Sequence, residues 1–193
     1  MKENNYLELI KNANVYAVAK KSPLDHAVLI SSKLNNTVLL KREDKQRTFS
    51  FKVRGAFNKI NQLSAKELEN GVICSSAGNH AQGVALASKI NKNSAKVVMP
   101  ITSPSIKIDA VKSLGAEVIL HGDNYDEAFT KAKEIEKKES SVFIHPFDDP
   151  YVIAGQGTIA KEIIEEFEGD LDAIFVPIGG GGLISGIASY VKE

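Results

Sequence analysis

Gly71-Val72-Ile73-Cys74-Ser75 and Lys96-Val97-Val98-Met99-Pro100 are two short apolar runs, and residues 81–90 between them read as a helix. The unit repeats down the chain. Helices over residues 105–114, 125–138 and 152–167 alternate with strands over residues 117–120, 142–145 and 173–177, and residues 183–191 open a further helix. Strands that are apolar throughout, rather than at every second position, are buried on both faces, and helices of about ten residues or more between them supply the cover. The pattern predicts an α/β fold of open, doubly wound parallel sheets joined by right-handed crossovers.

Upstream the pattern is less regular. Residues 6–20 read as a short helix and its exit, and Ser22-Pro23-Leu24 as a turn. Residues 28–31 and 37–40 read as two short strands turning at Asn35-Asn36. Lys41-Arg42-Glu43-Asp44 reads as a solvated strand end. From Ser50 a helix is expected to about Leu63, with Val53, Ala56, Phe57 and Ile60 on one face.

The 193 residues are 43% apolar and 25% charged, an ordinary balance for a globular protein. Lys plus Arg and Asp plus Glu stand at 24 each, which argues against nucleic acid or an anionic membrane as the main partner. The lone Cys74 forms no internal disulfide and suits a reducing compartment such as the cytoplasm. No apolar run approaches the roughly 20 residues of a membrane helix, and Met1-Lys2-Glu3-Asn4-Asn5 lacks the apolar core of a signal peptide.

Open parallel sheets bind ligands at the carboxyl ends of their strands. Two strand-to-helix loops fall there. Ser75-Ser76-Ala77-Gly78-Asn79-His80 offers hydroxyls, amides and a helix N-terminus suited to a carboxylate, or it is a plain helix cap. Gly179-Gly180-Gly181-Gly182-Leu183 lets backbone amides wrap an anion such as phosphate, or it is a flexible turn; no Gly-Lys-Ser/Thr follows, so it is not a Walker loop. A third feature is Lys52, between Phe51 and Val53-Arg54-Gly55-Ala56. A lysine desolvated beside an aromatic ring loses ammonium character and becomes a nucleophile or base, the usual route to an imine with a carbonyl cofactor. His26, His121 and His145 are scattered, with no spacing that suggests a metal site.

An imine-forming lysine, a carboxylate loop and a phosphate loop point to pyridoxal phosphate, and the chain resembles a family that uses it. Lys41-Arg-Glu-Asp-Lys-Gln46, Ser50-Phe-Lys-Val-Arg-Gly-Ala56, Ser76-Ala-Gly-Asn-His-Ala-Gln-Gly83, Pro146-Phe-Asp-Asp-Pro150, Val152-Ile-Ala-Gly-Gln-Gly-Thr158 and Val176-Pro-Ile-Gly-Gly-Gly-Gly-Leu183 resemble, in order, the motifs of the biosynthetic threonine dehydratases (threonine ammonia-lyases) of the tryptophan-synthase-β-like fold. The resemblance implies conversion of L-threonine, and secondarily L-serine, to a 2-oxo acid and ammonia in isoleucine biosynthesis, by a homo-oligomer that uses pyridoxal 5'-phosphate.

It also implies roles. Lys52, flanked by Phe51, carries the cofactor and takes the substrate Cα proton. Asn79 bonds the 3-oxygen of the pyridine ring. Gly179, Gly180, Gly181, Gly182 and Leu183 cradle the phosphate. Ser76, Ala77, Gly78, Asn79 and His80 form the carboxylate loop, with His80 either binding or only bracing it, and Arg54 is structural. Serine racemases of this fold carry a second serine where Ala77 stands, so the resemblance favours dehydration. It implies a smaller domain over residues 55–148 and a larger one from residues 1–54 and 149–193, incomplete relative to the family. Weak cofactor binding, a displaced glycine loop, association beyond a monomer and no turnover are therefore expected of this chain alone.

Overall fold

The computed structural model describes residues 5–192; the reading that residues 1–4 begin no signal peptide lies outside them. In chain order the elements are α1 (Tyr6–Lys11), β1 (Leu24–His26), α2 (Val28–Leu34), β2 (Leu39–Lys41), α3 (Lys52–Asn61), α4 (Ala65–Leu68), β3 (Val72–Ser75), α5 (Asn79–Asn91), β4 (Ala95–Met99), α6 (Ser105–Ser113), β5 (Glu117–Leu120), α7 (Tyr125–Glu139), β6 (Val142–Phe143), α8 (Pro150–Glu166) and α9 (Gly182–Val191).

Four of the strands form a parallel sheet in the order β5-β4-β3-β6. Alternate side chains divide its two faces. Val72, Cys74, Val97 and Met99 pack with α3, α5 and Val111 of α6, while Ile73 and Val98 pack on Ala128 and Ala132 of α7. The apolar runs thus fill both faces of a three-layer α/β/α unit. A separate apolar cluster joins α8 and α9 through Ile159, Ala160, Ile163 and Ile187. The expected domain division at residues 54 and 55 runs through α3.

α3 is wedged between α5 and α8, and glycines set both crossings. A Cβ on Gly83 of α5 would stand 3.2 Å from the Lys52 carbonyl and the Val53 amide. A Cβ on Gly155 of α8 would stand 2.7 Å from the Arg54 carbonyl and Gly55 Cα. Backbone therefore packs on backbone around the first turns of α3. Val53, Ala56, Phe57 and Ile60 lie buried along it, as the sequence periodicity predicts.

Three expectations are corrected. Residues 28–31 form the first turn of α2 and not a strand. Asn35 ends that helix in the left-handed conformation at φ 49°, a role that asparagine tolerates, and β2 pairs instead with residues 24–26. The charged run is not a solvated strand end: the Lys41 side chain is only 8% exposed and bridges Glu162 at 3.1 Å and Glu166 at 2.9 Å. Residues 173–177 form no strand. Ile174 and Val176 turn into the α8–α9 cluster while Phe175 stands 95% exposed. The alternation of a strand is present there, yet among the described residues no neighbouring strand takes up its backbone hydrogen bonds.

Arg54 is fully buried and holds the helices to the charged run. Its guanidinium donates to Glu43 from Nε and Nη2 at 2.8 Å each, and to Glu162 from Nη1 at 2.6 Å and Nη2 at 3.0 Å. Thr158 Oγ1 accepts at 3.1 Å. Burial alone would raise the Glu162 carboxyl, but the bonds from Arg54 and Lys41 hold it below the usual carboxylate range. Removing the cation leaves Glu43 and Glu162 without their shared partner, with Lys41 alone still bridging Glu162. Arg54→Leu is expected to cost about 3–5 kcal/mol of stability, measured by chemical denaturation, and adding Glu162→Leu to recover part of it.

Candidate functional site

The chain leaves β3 to lay down β4 and β5 on one side, then returns to place β6 on the other. The carboxyl ends of β3 and β6 therefore flank the topological switch point, where open parallel sheets form their ligand crevice. The loop after β3, the loop after β6, the start of α3 and the glycine loop before α9 supply the candidate groups.

Lys52 is the first residue of α3, and its amide donates to Ser50 Oγ at 3.3 Å. Its Nζ donates to the Pro146 carbonyl at 2.7 Å and lies 5.4 Å from the centre of the Phe51 ring. Burial pushes the Lys52 ammonium below its usual range. No carboxylate among the described residues forms an ion pair with it, so nothing offsets that shift. The result is a half-buried amine oriented by a neutral carbonyl.

The loop after β6 connects this amine to the glycine loop. His145 Nδ1 accepts the amides of Phe147 at 3.3 Å and Asp148 at 2.7 Å, which folds residues 145–148 into a tight turn. Asp149 then caps α8, accepting from the amides of Tyr151 at 2.8 Å and Val152 at 3.1 Å, with Pro150 as the first helical residue. Phe147 lies against the glycines. A Cβ on Gly180 would meet its ring at 2.3 Å, and one on Gly182 its carbonyl oxygen at 2.7 Å. Gly181 has φ 87°, a conformation costly for any other residue.

A cavity of about 260 Å³ results, lined by Phe51, Lys52, Phe147, residues 177–182 and Leu183. Gly179 and Gly181 have no atom within 4 Å of an added Cβ, so the loop opens onto free space. α9 starts at Gly182 with no side-chain cap, and its first amides have no partner inside the helix. Free amides at the positive end of a helix fit a phosphate-sized anion. The cavity thus brings together Lys52, Phe51, Gly179, Gly180, Gly181, Gly182 and Leu183.

The loop after β3 stands outside that lining. Ser76 Oγ accepts the Gly78 amide at 3.2 Å, Ala77 packs against the core, and Asn79 is exposed as the first residue of α5. His80 is buried, and its Nε2–H donates to the Ile144 carbonyl at 2.9 Å, tying this loop to the end of β6. Its Nδ1 is buried without a partner. Burial lowers the His80 pKa to about 4, so the ring is neutral.

Sequence reasoning assigned no role to His145, Pro146 or Phe147. The signals present were the Pro146-Phe-Asp-Asp-Pro150 run among the family-like motifs and, within it, Asp149-Pro150, a helix start that places the preceding residues at the carboxyl end of β6.

A family model described as "Pyridoxal-phosphate dependent enzyme" matches residues 16–193. The biosynthetic L-threonine dehydratase IlvA of Burkholderia multivorans is 50% identical over 195 residues, covering 100% of this chain and 38% of its own length. The processed form of threonine deaminase isoform 2 from Solanum lycopersicum superposes with a TM-score of 0.94 at 53% identity, covering 97% of this chain and 54% of that one. Maize serine racemase superposes with a TM-score of 0.93 at 34% identity, covering 96% of this chain and 57% of that one. The chain thus spans about half the length of these solved structures and less of the curated relative. Its fold is that of these enzymes, shorter than they are.

The buried neutral His80 makes stability depend on pH. A histidine held below its unfolded value of 6.5 contributes stability that is fully present above that pH and is lost as pH falls toward about 4. The unfolding free energy from chemical denaturation is expected to fall across that window, by on the order of 3 kcal/mol at most. His80→Asn should flatten the slope there.

Proposed function

The chain belongs to the pyridoxal-phosphate dependent enzyme family, and we propose that it forms the lysine-bearing part of an L-threonine dehydratase yielding 2-oxobutanoate and ammonia. The observation that carries this reading is the cavity in which a desolvated amine without a carboxylate partner shares a wall with free helix-terminal amides. Pyridoxal phosphate matches both ends, with a carbonyl for the amine and a phosphate for the amides. When bound, it supplies the electron sink for charge developing at the substrate Cα.

The residues of the chain divide the remaining work. Lys52 attaches the cofactor and takes the Cα proton, and its burial favours the free amine over the ammonium. Gly179, Gly180, Gly181, Gly182 and Leu183 hold the phosphate, and Phe51 walls the site. Ser76, Ala77, Gly78, Asn79 and His80 form the carboxylate loop, with Asn79 also bonding the pyridine 3-oxygen. His80 serves there by bracing, since its ring is turned into the core toward Ile144. The domain reading is residues 55–148 as the smaller unit, with 1–54 and 149–193 in the larger.

A second reading, racemisation of serine, has the structural likeness to a serine racemase behind it. Ala77 disfavours it, because a methyl group cannot exchange a proton on the second face of the substrate. L-Serine remains a secondary substrate of the dehydratase, since one methyl is worth only about 1–3 kcal/mol of discrimination. The wider reading is a cytoplasmic homo-oligomer serving isoleucine synthesis. Among the described residues no helix is long and apolar enough to cross a membrane.

Borohydride reduction in the presence of pyridoxal phosphate is expected to fix the label on Lys52 in preference to surface lysines, located by peptide mass. L-Threonine should then yield 2-oxobutanoate once the catalytic region is complete, and Lys52→Ala should lower that rate by roughly 10²–10⁴-fold or more. Label spread evenly over the lysines would overturn the assignment.

A further inference from the structure

His145 lies outside every role assigned above, yet the turn that it builds reaches two parts of the site. Its Nδ1 accepts two successive amides, Phe147 at 3.3 Å and Asp148 at 2.7 Å. This is the arrangement that an asparagine or aspartate side chain makes with the amides two and three residues ahead. The turn presents the Pro146 carbonyl to Lys52 Nζ at 2.7 Å. It also seats Phe147 against Gly180 and Gly182, with the His145 ring edge-on to the Phe147 ring at 4.7 Å and Phe143 behind at 6.2 Å.

We propose that His145 is a positioning residue whose unprotonated Nδ1 templates the 145–148 turn, so that one side chain orients the Lys52 amine and the glycine loop together. This inference rests on the proposed role of Lys52 toward pyridoxal phosphate. Because both amides donate to Nδ1, the ring proton must sit on Nε2, and a second proton on Nδ1 would break the turn. Burial lowers the His145 pKa; Asp148 and Asp149 oppose that, while Lys133 and Lys52 add to it. His80 is the other ionisable ring nearby. The neutral ring is therefore kept below the ordinary histidine range, and the turn is lost only as pH falls through that lowered value.

The test compares His145→Asn, which keeps an acceptor at the Nδ1 position, with His145→Leu, which does not. Two readouts are used: hydrogen-exchange protection of the Asp148 amide by NMR, and the pyridoxal phosphate concentration that half-saturates borohydride trapping at Lys52. His145→Leu is expected to lose about tenfold in each, the scale of one hydrogen bond, and His145→Asn to stay within about twofold of the parent. On acidification the parent should lose Asp148 protection and His145→Asn should keep it. Should His145→Leu fail to fold, the pH profile of His145→Asn against the parent decides alone. Equal protection and trapping in all three, or a His145→Asn variant as impaired as His145→Leu, would overturn the proposal. If the parent itself takes no label at Lys52, the cofactor reading fails, and the Asp148 amide still decides whether His145 builds the turn.

Discussion

The constraint on which the rest depends is the close approach of backbone to backbone where the first turns of α3 cross its two neighbours. Gly83 meets the backbone of Lys52 and Val53 on one side, and Gly155 meets that of Arg54 and Gly55 on the other. Gly55 is itself hemmed in, its amide donating to Gln156 Oε1 at 3.2 Å. Backbone in contact with backbone leaves no rotamer to absorb a shift, so the start of α3 is placed relative to α5 and α8 together. Lys52 inherits that placement. It stands between the sheet, with its loop after β3, and the helix pair that carries the glycine loop.

Two cations two residues apart on α3 are buried in opposite ways. Arg54 has two carboxylates, a hydroxyl and no exposure, an arrangement that fixes its charge and removes it from chemistry. Lys52 has a carbonyl oxygen and an aromatic ring, and burial alone moves its titration. The first arrangement stabilises a helix packing; the second makes an amine available. Their closeness in sequence has a geometric basis, since successive helical positions about 100° apart face different surroundings.

The α/β alternation from Gly71 onward was legible because strands buried on both faces are apolar throughout, and this sheet is covered on both faces. The 28–31 segment was not, since Val28, Leu29 and Ile30 have the composition of a strand while Asn35 closes a helix, and three such residues carry no periodicity to decide between them. The charged run misled for another reason. Nothing local marks Lys41 and Glu43 as partners of Glu162 and Arg54, more than ten to a hundred residues away. Lys52 and the glycine quartet stood out by residue type and position. Phe147 did not, because its role is to stop side chains at Gly180 and Gly182, a contact across the fold.

The glycine loop is built from backbone rather than from arginine or lysine, and this bears on the amine across the cavity. Among the described residues lining the cavity, Lys52 is the one that carries a charge. A second cation placed there to hold an anion would repel the Lys52 ammonium, and its influence would change whenever the anion came or went. Amide dipoles at the start of α9 attract an anion without adding a titrating group. Their cost is conformational: a positive φ at Gly181, and no room for a Cβ at Gly180 or Gly182. The lysine can then be tuned by burial and oriented by a single carbonyl, and the turn at residues 145–148 touches both halves of the site.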